Sequence, residues 1–236
     1  AFCRQCLQDV QTLQCPVCRD SSAEVARWVF LLQADAARIQ EQLFEVLRSG
    51  TVEVVQFLCQ AGADMDRETE DGLTPLALAA QGGHVDVVRF LCEAGADKDR
   101  DIEDGATPLG VASLNGHVDV VKFLCEAGAD KDKGNDILNP LLTSSESGHL
   151  DVVRFLCEAG SDKDRGTEDG ATPLEVASLN GHLDVVRFLC DAGADKDKEE
   201  NSEIPLIEAS MNGHLEVVRF SVSYTHLTLP TRSTVG

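Results

Sequence analysis

Four cysteines near the start of the sequence are the residues best suited to chemistry. They form two Cys-x-x-Cys pairs with eight residues between the pairs, and the four are Cys3, Cys6, Cys15 and Cys18. Four thiolates bind zinc tetrahedrally, and each pair can form one tight turn around the metal. The spacing therefore predicts zinc as the cofactor of this segment.

The residues around these cysteines resemble the C-terminal half of a RING finger, in the runs from Phe2 to Leu7 and from Cys15 to Arg19. A RING holds eight ligands in two interleaved sites, so the first pair would complete one site and the second pair the other. Their partners are then expected upstream of Ala1, and this segment alone is not expected to hold two zinc ions. The residues also allow a small self-contained zinc knuckle or a chance cluster.

The same resemblance implies a role in ubiquitin transfer. It assigns Arg19 to a contact with ubiquitin and Pro16 to the surface that receives a ubiquitin-conjugating enzyme. The full-length protein would then be a RING-type ubiquitin ligase. Such a ligase has no nucleophile of its own, because it positions the thioester for attack by a substrate lysine. This segment alone is not expected to act as a ligase.

An amphipathic helix is predicted after the cysteine motif. Its apolar residues run from Val25 to Leu43 at spacings of three and four, and Ser21 or Ser22 can cap it. We assign residues 21–37 to a linking helix that caps the first repeat. A dimerising helix is the alternative.

The rest of the chain repeats itself. The run from Gly83 to Asp97 returns at 116–130, 148–162 and 181–195, with a shorter copy at 213–220 and a degraded one at 50–64. The repeated histidines lie 33 or 32 residues apart, at His84, His117, His149, His182 and His214. Self-similarity at this period indicates a solenoid of stacked units.

Each unit is predicted to contain two antiparallel helices. Thr74 can cap the first helix and Pro75 suits its first position, while Gly82 and Gly83 end it. His84 begins the second helix, which carries an apolar stripe. Because one unit cannot bury this stripe alone, neighbouring units must stack.

These units resemble the ankyrin repeat in the segments Asp71–Leu76, Asp104–Leu109 and Asp169–Leu174. The resemblance covers about residues 38–220 and implies an all-α ankyrin solenoid. We place the units at about 38–70, 71–103, 104–135, 136–168, 169–200 and 201–220. One departure recurs, because the family usually has His after Thr-Pro-Leu. Here the position holds Ala77, Gly110, Leu142, Glu175 and Ile207, so a hydrogen bond that braces the turn is expected to be absent.

The resemblance also implies a protein partner on the concave face, against the hairpin tips and the exposed ends of the first helices. These positions map to Glu70, Asp71, Leu73, Gln81, Glu103, Asp104, Leu114, Asn115, Asp136, Leu138, Glu146, Ser147, Glu168, Asp169, Leu179, Asn180, Glu203, Met211 and Asn212. A formal charge of −21 argues against nucleic acid and permits attraction to a basic protein. Acidic tips beside Leu114, Leu179 and Met211 suggest a basic, partly apolar protein segment. An acidic, solvated edge without a partner is the alternative.

The repeated cysteines and histidines give no catalytic constellation. Cys59, Cys92, Cys125, Cys157 and Cys190 occupy one position of the unit, where a small buried hydrophobe is favoured over a metal or redox ladder. The histidines are interpreted as helix caps and donors of hydrogen bonds between repeats. The Asp-Lys-Asp turns are interpreted as solvated loops.

The last residues break the repeat after Phe220. Residues 222–231 match a translated transposase-adaptor sequence, so we expect 221–236 to be a non-native tail; a Thr-rich terminal strand is the alternative. The last helix is then expected to be cut short, with Val217 and Val218 fraying.

No signal peptide and no apolar run of about 18 residues is present, which predicts no membrane segment and a cytoplasmic or nuclear protein.

Overall fold

The structure is a computed structural model that describes residues 36–102, 105–134, 139–167, 170–195 and 205–228. Within these ranges the chain forms twelve helices and no strand, which confirms the predicted all-α class. The helices are α1 (Ala36–Ser49), α2 (Val52–Gln60), α3 (Pro75–Gln81), α4 (Val85–Glu93), α5 (Pro108–Leu114), α6 (Val118–Glu126), α7 (Pro140–Glu146), α8 (Leu150–Glu158), α9 (Pro173–Leu179), α10 (Leu183–Asp191), α11 (Pro205–Met211) and α12 (Leu215–Thr228).

The first helix of each unit starts where the sequence predicts. The side-chain oxygens of Thr74 and Thr107 accept hydrogen bonds of 3.1 Å from the backbone N–H three residues ahead, and a proline occupies the first helical position. In the fourth unit Asn139 is the N-cap residue, and its Oδ1 accepts a hydrogen bond from Leu141 N–H at 3.0 Å. Capping and proline together set the start of α3, α5, α7 and α9.

The missing family histidine is replaced in one unit. Glu175 Oε2 accepts a hydrogen bond of 2.8 Å from the backbone N–H of Thr172, while Thr172 Oγ1 accepts from Glu175 N–H at 3.3 Å. This reciprocal pair is a capping box. The expected loss of a bracing hydrogen bond is therefore wrong for the fifth unit, because a carboxylate reaches the same turn.

Two layers of helices form the solenoid. The first helices pack on one another more closely than the second helices do. Small residues such as Ala79, Ala80 and Ala112, each fully buried, allow this close approach. An array that is tighter on one side must curve toward that side, so the first helices line the concave face.

The second helices supply most of the buried valines and about half of the fully buried leucines. In α4, Val87, Val88 and Leu91 are fully buried, and the matching residues of α6, α8 and α10 are buried in the same way. They join the buried residues of the first helices in one continuous cluster. Burying one such side chain contributes about 1.5–3 kcal/mol, so stacking supplies most of the stability.

Helix α1 takes the place of a first helix at one end of the described array. It packs against α2 and α3, and it is continuous across the boundary at residue 37 that separated linker from repeat. Gln40 anchors it through two hydrogen bonds of 2.9 Å, donating to Asp64 O and accepting from Asp64 N–H. The linking helix before residue 36 lies outside the described residues.

The last helix is longer than expected. Helix α12 runs to Thr228, eight residues beyond Phe220, and Val217 is only 1% exposed. The expected shortening of this helix and fraying of Val217 are therefore wrong in this structure, because the residues after Phe220 continue the helical turns. The origin of residues 221–236 stays a prediction.

Ser161 gives a first testable prediction. It stands where other units have a buried alanine, it is 8% exposed, and its Oγ has no hydrogen-bond partner among the described residues. Since an unsatisfied buried hydroxyl is unfavourable, Ser161→Ala should stabilise the fold by about 1 kcal/mol in urea unfolding. Ser178→Ala is the control: Ser178 Oγ donates to Leu174 O at 2.8 Å, so its removal should give no gain. A loss of stability in Ser161→Ala would contradict this account.

Candidate partner-binding face

The last residue of each first helix from α3 to α11 is exposed on the concave side. We call these five residues the inner row: Gln81, Leu114, Glu146, Leu179 and Met211. Three are apolar, with exposed fractions of 41% for Leu114, 39% for Leu179 and 72% for Met211. Because the rest of each helix from α3 to α9 is largely buried, the inner row is the part of that layer that a partner can touch.

An amide side chain follows each apolar member of the inner row. Asn115, Asn180 and Asn212 each donate one Nδ2 hydrogen to a carbonyl of their own helix, at 2.8, 2.9 and 3.0 Å. A carboxamide has a second hydrogen and an acceptor oxygen. Both are free of hydrogen bonds to the described residues, so they can bind a ligand.

The repeated histidines fix the inner row to the neighbouring unit. The ring Nε2 of His117 lies 2.8 Å from Gln81 O, and His149, His182 and His214 make the same contact with Leu114, Glu146 and Leu179 at 2.8–3.0 Å. The predicted hydrogen bonds between repeats are confirmed. His84, His117, His149 and His182 occupy the predicted N-cap position of their helices, but no side chain makes a capping hydrogen bond, because each ring contacts the preceding unit instead.

The glycine before a histidine makes room for the ring of the next unit at Gly83, Gly116, Gly148 and Gly181. Gly116 has φ +73°, and a Cβ added there would lie 2.6 Å from His149 Nδ1. No side chain fits at that distance, and the positive φ already favours glycine. The Gly-His pair thus works between units: one unit supplies the glycine and the next supplies the ring.

The Asp-Lys-Asp turns form a second set of links. Asp99 Oδ1 accepts from the backbone N–H of Asp130 at 2.8 Å, and Asp164 Oδ1 accepts from Asp195 N–H at 2.7 Å. The interpretation as merely solvated loops is incomplete, because one carboxylate per turn holds the next unit.

Basic residues beside these turns are paired within the chain. Arg100 Nη2 lies 2.9 Å from Glu68 Oε1, and Lys133 Nζ lies 3.5 Å from Asp101 Oδ1. Arg165 donates to the carbonyl of Asp132 in the preceding unit. These three cations are therefore engaged within the chain rather than left for a partner.

Only part of the predicted tip surface is described. Glu70 and Asp71 are exposed, and Leu73 is half-buried in a turn where its N–H donates to Thr69 Oγ1 at 3.1 Å. Ser147 ends α7. Seven predicted contacts lie outside the described residues: Glu103, Asp104, Asp136, Leu138, Glu168, Asp169 and Glu203.

On the second helices, which form the outer face opposite the concave one, arginines contact aromatic rings of the next unit. The guanidinium of Arg89 lies 4.5 Å from the ring centroid of Phe123 in the next unit, and Arg154 stacks on Phe188 at 5.1 Å. Such contacts stabilise a stack of units and cover the arginine faces. Arg89 and Arg154 stay exposed, so this face keeps positive charge and is less suited to a basic partner than the concave face is.

The five repeat cysteines behave as packing residues. Cys190 is buried and the other four are partly buried, and the described cysteines form no disulfide. Among the described residues no cluster of His, Cys, Asp or Glu could hold a metal ion. Burial raises the pKa of Cys59, Cys125 and Cys157 from 9.0 to about 11, which favours the neutral thiol.

A pH-dependent reactivity follows. At pH 8 iodoacetamide should modify Cys59, Cys125 and Cys157 about a hundredfold more slowly in the folded chain than in urea, because less thiolate is present. The raised pKa also makes stability fall as the pH rises from 9 toward 11, since unfolded thiols ionise first. Mass mapping of each labelled peptide measures the rates; equal rates in both states would contradict the burial.

The predicted zinc ligands Cys3, Cys6, Cys15 and Cys18, and the predicted ubiquitin contact Arg19, lie outside the described residues. The metal site and the ubiquitin contact therefore stay predictions.

The comparisons with known proteins define the class. A protein-family model described as ankyrin repeats (three copies) matches this chain at residues 43–135 and again at 132–200. The chain belongs to the ankyrin repeat family, whose domains generally bind other proteins. Its structure is similar to the crystal structure of the human ASB11 ankyrin repeat domain, with a TM-score of 0.72 and 27% sequence identity. That match covers 77% of this chain and 82% of the other. No curated protein matches the chain significantly.

None of the described helices is both long and apolar enough to cross a bilayer.

Proposed function

We propose that this ankyrin solenoid is a protein-interaction module whose concave face, made of the inner row and the hairpin tips, binds a basic, partly apolar segment of a partner protein. The observation that carries the proposal is the inner row itself. Exposed Leu114, Leu179 and Met211 stand in one row with Glu146. Histidines of the following units contact the backbone carbonyls of Leu114, Glu146 and Leu179.

Two further features support this face over others. The exposed carboxylates of Glu70 and Asp71 add negative charge at the first hairpin tip, and the formal charge of −21 extends this field over the chain. Charge complementarity attracts a basic partner and fixes its orientation. The outer face, in contrast, carries the exposed cations Arg89 and Arg154, which would repel a basic partner.

The experiment is a selection from a displayed library of protein fragments with the purified chain as bait. Binders should lose at least tenfold in affinity to Leu114→Asp and Leu179→Asp, because both variants place a charge where an apolar contact is expected. The control is Val222→Asp on α12: Val222 is 41% exposed, like Leu114, but lies outside the inner row. Binders that respond equally to all three variants, or to none, would contradict the proposal.

The cysteine motif supports a second proposed function. Four thiols at the spacing of two zinc-binding pairs form a donor set suited to zinc, and Arg19 follows them. The full-length protein would then be a RING-type ubiquitin ligase in which the cysteine domain recruits a ubiquitin-conjugating enzyme. The solenoid would select the substrate, so the two functions are compatible.

Zinc binding and the gene sequence test this second function separately. Zinc released from the full-length protein is measured with a chromogenic chelator. The amount should fall in Cys3→Ser and Cys15→Ser but not in the repeat variant Cys92→Ser. A transcript that spans the upstream end should encode further Cys pairs and a His shortly before Cys3. A transcript that starts near Ala1 without them contradicts the ligase, and unchanged zinc content in the two variants contradicts the zinc site.

A further inference from the structure

The spacing of the inner row sets the kind of backbone that can follow it. Each of its residues occupies the same place on successive first helices, and these helices pack side by side. Packed helices lie about 8–10 Å apart, so the inner row offers one contact about every 8–10 Å. A bound segment must present one side chain to the same face at that interval.

Polyproline II is the regular backbone that meets this requirement. It has three residues per turn and rises about 3.1 Å per residue, so every third side chain faces the same way at intervals of about 9 Å. A β-strand repeats its face about every 6.6 Å and an α-helix about every 5.4 Å, so successive side chains on one face of either do not meet successive units; a helix would have to use every second turn, at about 10.5 Å.

The asparagines beside the inner row fit the same backbone. A polyproline II segment makes no internal hydrogen bonds, so its carbonyls and N–H groups need outside partners. Asn115, Asn180 and Asn212 each retain one amide hydrogen and one acceptor oxygen beside Leu114, Leu179 and Met211. Each apolar contact is thus accompanied by a group that can bind the ligand backbone.

The order of chemical types along the inner row sets the ligand sequence. From the third to the sixth unit the inner row is apolar, acidic, apolar and apolar, in Leu114, Glu146, Leu179 and Met211. Glu146 is exposed and forms no ion pair with a described residue, so it can receive a cation. Gln81 precedes this set as a polar position.

We propose that the inner row binds a proline-rich polyproline II segment that carries apolar residues and one Lys or Arg at every third position, with the cation at Glu146. The inference rests on the proposed function and specifies its partner. The order along the segment is apolar, basic, apolar, apolar, each separated by two residues, in one of the two chain directions.

Synthetic twelve-residue peptides test the spacing by fluorescence anisotropy. The probe has leucines at its first, seventh and tenth positions, arginine at its fourth, and prolines and serines between them; a second probe reverses the order. The control peptide has the same composition with the four residues at every second position. We expect one period-three probe to bind at least tenfold more tightly than the control. Equal affinity for the period-two control, or binding by neither probe, would overturn the inference.

A charge exchange tests the register. Glu146→Lys should weaken the arginine probe about tenfold and should prefer a probe with glutamate at that position. Glu158→Lys is the matched control, because Glu158 is exposed at the end of the second helix of the same unit. An arginine probe that is insensitive to Glu146→Lys, or equally sensitive to Glu158→Lys, contradicts the placement of the cation.

The library selection distinguishes failure of the polyproline II inference from failure of the proposed function. Selected binders that depend on Leu114 and Leu179 but lack the period-three pattern would overturn the polyproline II inference and leave the proposed function standing. If no binder depends on these leucines, both fail.

Discussion

Gly116→Ala should destabilise the solenoid by about 3 kcal/mol, as measured by urea unfolding. Part of this loss is backbone strain, because φ at Gly116 is +73°. The larger part is steric: the new Cβ would lie 2.6 Å from His149 Nδ1, so the ring must move and its hydrogen bond to Leu114 O is lost. A residue on one unit therefore weakens the attachment of the next.

Gly128→Ala separates strain from collision. Gly116 precedes α6 and Gly128 follows it. Gly128 also has a positive φ of +83°, but its added Cβ would meet only Lys98 Cε, at an ordinary 3.9 Å. We expect a loss of about 1–2 kcal/mol from strain alone. In a double-mutant cycle, His149→Ala should reduce the effect of Gly116→Ala to that of Gly128→Ala. Equal effects of the two glycine substitutions would show that the ring does not restrict this position.

Leu124→Ala should cost about 2–5 kcal/mol, because it removes a fully buried side chain from the middle of the array. Since units contact only their neighbours, the weakened third unit should also divide unfolding into two transitions. Hydrogen exchange should then show faster opening around α6 than around α10. Leu114→Ala, at an exposed position, should change stability by less than about 0.5 kcal/mol. A single unchanged transition in Leu124→Ala would contradict this picture.

The sequence predicts the repeated parts of the fold well, for reasons that lie within one unit. The threonine caps, the prolines and the glycines act on their own backbone, so their letters suffice to place the helices. The histidine bonds between units were also predictable, since an identical polar residue in every unit must meet an identical environment in each.

Other features depend on distances between loops, which a single sequence does not show. Asp99 looks like any solvated turn residue until the backbone N–H of Asp130 is seen 2.8 Å away. The brace that Glu175 supplies was missed because a carboxylate replaces the expected ring, although a Glu three residues after Thr172 is a recognised capping signal. The lengths of α1 and α12 were missed because both helices run past the edge of the repeated pattern.

The sequence predicts where the residues of the candidate site lie better than it predicts their hydrogen bonds and ion pairs. The end of each first helix was placed correctly from the periodicity, and the exposure of Leu114 follows from it. What the letters alone do not show is that the inner-row carbonyls are fixed by the next unit, or that Arg100 and Lys133 are paired within the chain.

The pairing of each histidine with the unit before it has a consequence for how such a gene can change length. A segment that begins at one histidine and ends just before the next contains one histidine ring and, at its end, the glycine that faces the ring of the following unit. Duplicating or deleting that segment leaves each remaining ring opposite a glycine and a carbonyl of the same kind, with the spacing of 33 or 32 residues preserved. Recombination between these near-identical stretches therefore lengthens or shortens the array by whole units without creating an unmatched junction, and each event adds or removes one inner-row position.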